Sequence, residues 1–307
     1  MDVRGKRIFV GLSGGVDSAV SAALLKNAGA EVTGVFIKGW YPPGMPCAWA
    51  EERRDAMRVA ARLHIPFRTL DASVEYKKSV IDYLVAEYRA GRTPNPDVMC
   101  NRDIKFGAFY RYATNEGADA IATGHYRGGE KDQSYFLWAV LREVLAATVF
   151  PVGHLDKAAV RALAKKFNLP VADKKDSQGV CFLGSISVEE FLKKEFGDDN
   201  PALLYTIGQK IDGKYVVAKD VVKGELTLSK ERPKGGREVR FRGVNWLADG
   251  SEVLHAQYRY RGPRIAGRVH ESTFIADESL PEPVAPGQSI VFYSATGELL
   301  GGGIMVV

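Results

Sequence analysis

Three short stretches of this chain hold residue types at spacings that chemistry can use. The first is Gly11-Leu12-Ser13-Gly14-Gly15-Val16-Asp17-Ser18. It follows the apolar run Ile8-Phe9-Val10 and opens into the apolar stretch 19–25, an order that reads as strand, glycine-rich turn and helix. Gly14 and Gly15 reach turn geometries closed to residues with a Cβ. The N–H groups freed at the start of the helix then face outward, where they bind anions. Ser13 and Ser18 add hydroxyl donors, and Asp17 can hold a cation that the phosphates also touch. The stretch is not a Walker loop, because GxxxxGK[ST] is absent.

The second stretch runs from Gly91 to Asn101 and contains Asn95, Pro96, Asp97 and Cys100. Pro94 and Pro96, two prolines in three residues, argue against helix and for a stiff loop that presents Asp97 and Cys100. The third, Lys174 to Gly184, carries Cys181. Neither Cys100 nor Cys181 sits in an apolar periodic element, which favours reactive thiols over small core residues. No CxxC or paired histidine accompanies them, so metal binding has less support. Lys174 and Lys175 bring positive charge that would lower a nearby thiol pKa, or they form an ordinary solvated turn. Asp97 reads either as a turn or N-cap residue or as a proton-transfer group. Cys47 has only a proline-rich loop around it and is treated as a bystander.

The elements that must position these stretches alternate. Strand-like runs at Ile8–Val10, Glu31–Ile37 and Pro66–Leu70 are separated by helical apolar spacing at Trp49–Leu63 and Val74–Tyr88. A helix from Ile104 to Asn115 leads to a further strand, Ala118–Thr123, with Gly124 and His125 at its carboxyl end; an aromatic helix around Tyr135, Phe136 and Trp138 follows. This rhythm implies an α/β fold, a doubly wound parallel sheet with ligands beyond the strands' carboxyl ends. From about Gly197 short β-like runs take over, at 214–218, 225–229, 237–242, 255–260, 267–270, 289–293 and 303–307, which suggests a small barrel or sandwich. The expected domains are 1–196, 197–236 and 237–307.

Composition excludes little beyond the unusual classes. The chain has 307 residues, 46% hydrophobic and 26% charged, with a formal net charge of +5 and three cysteines. Few cysteines make a disulfide framework unexpected and a reducing, cytoplasmic setting natural. No apolar run reaches the ~18 residues of a membrane span, and Met1–Lys6 has no signal-type apolar region. A modest positive charge permits a nucleic-acid partner, and Arg259-Tyr260-Arg261 could line such a surface.

Taken together, Ser13–Ser18, Gly91–Asn101, Ala122-Thr123-Gly124-His125-Tyr126, Lys131–Leu137 and Lys175–Phe182 resemble, in order, the motifs of the bacterial tRNA-specific 2-thiouridylases, N-type ATP pyrophosphatases with an adenine nucleotide alpha hydrolase-like sheet. The similarity resumes at Tyr205–Gln209, Tyr215–Val217, Pro286–Ser289 and Gly301–Ile304. It implies ATP-dependent 2-thiolation of the wobble uridine in tRNAs for Lys, Glu and Gln, with uracil O2 adenylated. It also implies a persulfide on Cys181, delivered by a cysteine desulfurase or a sulfur-relay protein. Cys100 would complete sulfur release and pair with Cys181 as a transient disulfide, and Asp97 would serve as general acid/base beside the target base. ATP contacts would come from Gly11, Leu12, Ser13, Gly14, Gly15, Val16, Asp17, Ser18, Ile37 and Gly124, with Asp17 holding Mg²⁺. Asn95 and Pro96 would line the base pocket. Contacts to tRNA would come from His125, Lys131, Asp132, Gln133, Arg259, Tyr260 and Gln288.

Two departures from the family pattern stand out. Only Arg127–Glu130 remains of a longer excursion after Tyr126, and the middle region Asp198–Lys223 is shortened. The residues alone leave two alternatives open: an ATP pyrophosphatase that uses no sulfur, and a tRNA-binding protein with a vestigial catalytic domain.

Overall fold

Strands β1 (Arg7–Gly11), β2 (Glu31–Lys38), β3 (Phe67–Asp71), β4 (Ala120–Ala122) and β5 (Thr148–Val149) form one parallel sheet in the order β3-β2-β1-β4-β5. The structure, a computed structural model, describes residues 2–42, 49–129, 131–175, 187–197, 200–248 and 255–306. The chain divides into two compact units, residues 1–77 with 100–185 and residues 78–99 with 186–307.

In the first unit the chain winds outward from β1 in one direction and then the other, so the β1–β4 junction is the topological switch point where such sheets bind ligands. Alternation sorts the side chains. Ile8, Val10, Val32, Phe36, Ala120 and Ala122 join one core with Ala19 and Ala23 of the Val16–Asn27 helix, Val59 of Trp49–Leu63 and Val160 of Lys157–Lys166. Phe9 points the other way, its ring 6.4 Å from Tyr112 of the Phe109–Asn115 helix. Helices therefore cover both faces, as the βα rhythm requires. Fully burying one of the larger aliphatic side chains contributes roughly 1.5–3 kcal/mol, so this core carries much of the unit's stability.

One expectation fails here. The prolines do not keep residues 91–101 out of helix: the chain turns α-helical at Pro96–Met99, continues as a wider π-helical stretch over Cys100–Ala108 and ends as Phe109–Asn115. A proline in the first turn forfeits no intrahelical hydrogen bond and its φ already suits a helix, so Pro96 starts the element it was expected to prevent. Asp97 thus lies in a first turn and Cys100 one turn further on. The stretch Val74–Tyr88 is likewise helical but interrupted by a π-helical segment at Lys77–Ile81. The expected aromatic helix is only a short 3₁₀ turn, Ser134–Phe136.

In the second unit β6 (Lys210–Ile211), β7 (Lys214–Asp220) and β8 (Glu225–Ser229) form a small antiparallel sheet. Strands β9 (Glu238–Trp246), β10 (His255–Gln257), β11 (Ile265–His270), β12 (Thr273–Ala276), β13 (Ser289–Tyr293) and β14 (Leu299–Met305) close into a barrel in the order β10-β11-β12-β9-β14-β13. Val239 and Phe241 point inward while Glu238, Arg240 and Arg242 face water, the period of two expected of a small barrel. Phe292 sits at the centre, 5.2 Å from the Phe241 and Trp246 rings and 6.3 Å from Phe274. The sequence reading missed β6 and β12, both short.

Candidate active site

At the end of β1 the backbone passes Gly14 at φ +77, and a Cβ there would lie 2.3 Å from the carbonyl oxygen of Glu52. Only glycine fits, both by conformation and by space. Ser18 braces the turn: its hydroxyl accepts from the Ser13 N–H and donates to the Gly15 carbonyl, each at 3.2 Å. Ser13 Oγ accepts from the Gly15 N–H at 3.3 Å. The Val16–Asn27 helix then begins at Gly15 with no side-chain cap. An uncapped twelve-residue helix leaves its first N–H groups and positive dipole end available to an anion. Gly124, just past β4, packs onto this start; a Cβ there would lie 2.8 Å from the Ser18 nitrogen. Gly11, Leu12 and Val16 complete the loop's frame, and Leu12 and Val16 belong to the core beneath it. Ile37 is half-buried near the carboxyl end of β2.

Asp17 is the charged centre of this region. Its Oδ1 accepts from Tyr126 Oη at 2.6 Å, and Lys157 Nζ lies 2.8 Å from Oδ1 and 3.0 Å from Oδ2. Lys157 is placed there because Asp156 caps its helix, accepting from the Ala159 N–H at 2.7 Å. A lysine, a carboxylate and uncapped helix N–H groups at one glycine turn suit a polyphosphate with its divalent cation, so ATP and Mg²⁺ fit the donor set. Sequence reasoning missed Lys157 and the role of Tyr126. The Pro151-Val152-Gly153 break followed by Asp156 as an N-cap was the available signal for the lysine. Beside the turn, burial raises the Glu52 carboxyl above its ordinary range; Lys174 opposes the shift, while Asp55 and Glu51 add to it.

Lys174 lies 2.7 Å from Asp55, and Arg161 donates to the Ala172 and Lys174 carbonyls at 3.2 and 3.1 Å. The Lys174 charge is thus already paired with a carboxylate. Cys181 and Cys47 lie outside the described residues. Cys100 is described and is 3% exposed, a buried thiol. Beside it, Asn101 donates to the Phe136 carbonyl at 3.0 Å.

His125 stands at the carboxyl end of β4, its Nδ1 3.0 Å from Thr123 Oγ1 and its ring 5.3 Å from Phe106. Burial, with the nearby Lys105 charge second, pushes its imidazole pKa down to about 3, so the ring is neutral. Gln133 exchanges hydrogen bonds with Tyr126, accepting from its N–H and donating its own N–H to its carbonyl, both at 3.0 Å. Asp132 accepts from the Ser134 N–H at 2.9 Å, and Lys131 is exposed. These bonds tie Gln133 to Tyr126 and Asp132 to Ser134.

In the second unit Asn95, Pro96 and Asp97 are all half-buried. Arg259 donates to the Ile207 carbonyl at 3.1 Å and pairs with Glu282 at 3.1 Å. Tyr260 lies beneath the Arg261 guanidinium, 5.2 Å from the ring centre. Gln288 donates to the Thr93 and Pro94 carbonyls at 2.9 and 3.2 Å.

Residues 6–129 and 127–185 match the family model described as the tRNA methyl transferase HUP domain, and residues 236–305 match the aminomethyltransferase beta-barrel domain. A tRNA-specific 2-thiouridylase of Christiangramia forsetii is 47% identical over 394 aligned positions, covering 98% of this chain and 100% of the relative. One from Streptococcus thermophilus is 38% identical over 354 positions, covering 97% and 95%. Both alignments are longer than this chain, so these relatives carry segments that it lacks. Fold and site define an α/β enzyme with an anion-binding glycine turn at a sheet switch point and a barrel in a second unit. The chain belongs to the family of the tRNA-specific 2-thiouridylases, which are sulfurtransferases.

Proposed function

We propose that this protein transfers sulfur to C2 of a uridine in tRNA, the wobble uridine of tRNAs for Lys, Glu and Gln, in an ATP-dependent reaction. The observation that carries the reading is the uncapped glycine turn with Lys157 on Asp17, within a chain nearly co-extensive with named 2-thiouridylases. The loop Gly11–Ser18 binds the phosphates through its N–H groups and the Ser13 hydroxyl, with Ile37 and Gly124 beside the nucleotide. Asp17 holds Mg²⁺, and Lys157 turns from the carboxylate to the phosphates. ATP supplies the activation, making uracil O2 a leaving group by adenylation. Asn95 and Pro96 bound the base, and Asp97 moves a proton there. Cys181 carries the incoming sulfur as a persulfide, loaded by a cysteine desulfurase or a relay protein. Cys100 completes the release, leaving a Cys100–Cys181 disulfide that a thiol reductant must open before the next turnover. Lys131, Tyr260 and Arg259 contribute to the RNA surface.

The test is nucleoside analysis of tRNA incubated with the protein, ATP, Mg²⁺ and a desulfurase-plus-cysteine sulfur source. 2-Thiouridine that appears only with ATP is the expected result. AMP release without thiolated nucleoside would mean that adenylation works and the sulfur donor is wrong. ATP–pyrophosphate exchange with a small-molecule acceptor but not tRNA would favour an ATP pyrophosphatase that uses no sulfur, and tRNA binding with no ATP consumption a vestigial catalytic domain.

A further inference from the structure

Gln288 begins the approach to β13, in the turn Pro286-Gly287-Gln288, and the turn is rooted in the barrel. The Gly287 N–H donates to the Met305 carbonyl at 2.9 Å, and the Met305 N–H donates to the Gln288 carbonyl at 2.8 Å. The same turn grips a distant piece of chain in its own unit. The Thr93 N–H donates to the Pro286 carbonyl at 2.8 Å, and the Gln288 side-chain amide donates to the carbonyls of Thr93 and Pro94. Gly287, at φ +92, leaves no room for a side chain: a Cβ would lie 2.9 Å from the Thr93 oxygen and 3.0 Å from Arg92 Cβ. Thr93 is 8% exposed, and its hydroxyl lies 3.1 Å from that of Thr206.

The amide nitrogen of glutamine carries two N–H groups, and here it lies 2.9 and 3.2 Å from two successive carbonyl oxygens. Two residues further along, Pro96 opens the helix that carries Asp97. Pro94 and Pro96 each hold φ near −65°, and each restricts the residue before it. Fixing the carbonyls of residues 93 and 94 therefore fixes the direction in which Asn95, Pro96 and Asp97 are delivered.

We propose that Gln288 is a positioning residue: from the barrel turn it holds the Thr93–Pro94 backbone and so sets the placement of the Asn95-Pro96-Asp97 segment. The proposal rests on the sulfur-transfer reading for its kinetic arm only. A misplacement of about 1 Å costs a reaction on the order of 100-fold, so the expected loss lies in the rate at saturating tRNA and not in tRNA affinity.

The experiment compares Gln288→Ala, the isosteric but acceptor-only Gln288→Glu, and Gly287→Ala with wild type. Expected are single-turnover 2-thiouridine formation about 10- to 100-fold slower, a tRNA Kd within twofold of wild type, and faster hydrogen exchange at the Val98 and Met99 amides in all three. The Gly287 variant matters because it disturbs the grip without removing a polar group. Weakened tRNA binding with an unchanged saturating rate and unchanged exchange would overturn the proposal and make Gln288 an RNA contact. Unchanged rate, affinity and exchange would overturn it as well. Should the wild type form no 2-thiouridine, the sulfur-transfer reading fails, while the exchange measurement still decides whether the grip orders residues 95–99.

Discussion

Lys157 Nζ sits 2.8 and 3.0 Å from the two carboxylate oxygens of Asp17, with Tyr126 Oη at 2.6 Å from one of them. A cation held within reach of an uncapped helix start is a neutraliser in waiting. Lys157→Ala leaves Asp17 as an uncompensated negative charge facing the incoming phosphates. A charge-assisted hydrogen bond contributes about 1.5–3 kcal/mol, so the ATP Kd should rise on the order of 10- to 100-fold. Isothermal titration with a non-hydrolysable ATP analogue reads this directly, and an unchanged Kd would remove Lys157 from the site.

Gly14→Ala should destabilise the first unit by about 2–3 kcal/mol, from a left-handed backbone (roughly 1 kcal/mol or more) and a Cβ driven against the Glu52 carbonyl. The measurement is the urea midpoint of the full chain. Gly15→Ala, whose added Cβ meets only the Ser13 hydroxyl at 3.3 Å and needs no positive φ, should cost less.

His125 makes stability depend on pH. Its folded pKa is depressed to about 3 by burial, below the ordinary value of 6.5. Between those values the unfolded chain binds the proton and the folded chain does not, so stability is full above 6.5 and falls as the pH drops toward 3. Going from pH 7 to pH 5 this one group costs about 2 kcal/mol. His125→Gln should flatten that part of the profile, measured as the difference in denaturation midpoint between the two pH values.

Cys100→Ala and Cys181→Ala should each abolish 2-thiouridine formation while ATP binding stays within twofold of wild type. Full turnover by either variant would rule out a two-cysteine route. Cys100 is 3% exposed, so alkylation of the free protein by iodoacetamide should be slow at this position.

Glu87 is a buried carboxylate that accepts from Arg92 at 2.7 and 2.6 Å, with Arg242 at 3.5 Å. Glu87→Ala leaves two guanidinium groups without their acid. Fully buried pairs lose about 3–5 kcal/mol on such a change; Arg92 keeps a third of its side chain in water, so about 2 kcal/mol is expected for the second unit. Differential scanning calorimetry reports the loss.

Periodicity revealed the sheet and most of the barrel because both rest on alternation over several residues. It missed β5, β6 and β12, which are too short for a period to show. The helix start at Pro96 was hidden by the rule that proline breaks helices, which does not hold in a first turn. Lys157, Tyr126 and Gln288 are a different matter. Each acquires its role through a partner more than a hundred positions away, and local spacing carries no trace of such a pairing. The glycine turn was legible because its chemistry lies in eight consecutive residues.

Residues 78–99 belong to the same compact unit as the C-terminal part of the chain. Glu87 meets Arg242, 155 positions later, and Thr93 meets Gln288, 195 positions later. A ribosome adding about 5–20 residues per second needs on the order of 10 s to cover that distance. Throughout that interval Glu87 and Thr93 lack these later partners. The turn before β13 thus sets when the Thr93 and Pro94 backbone gains its barrel partners.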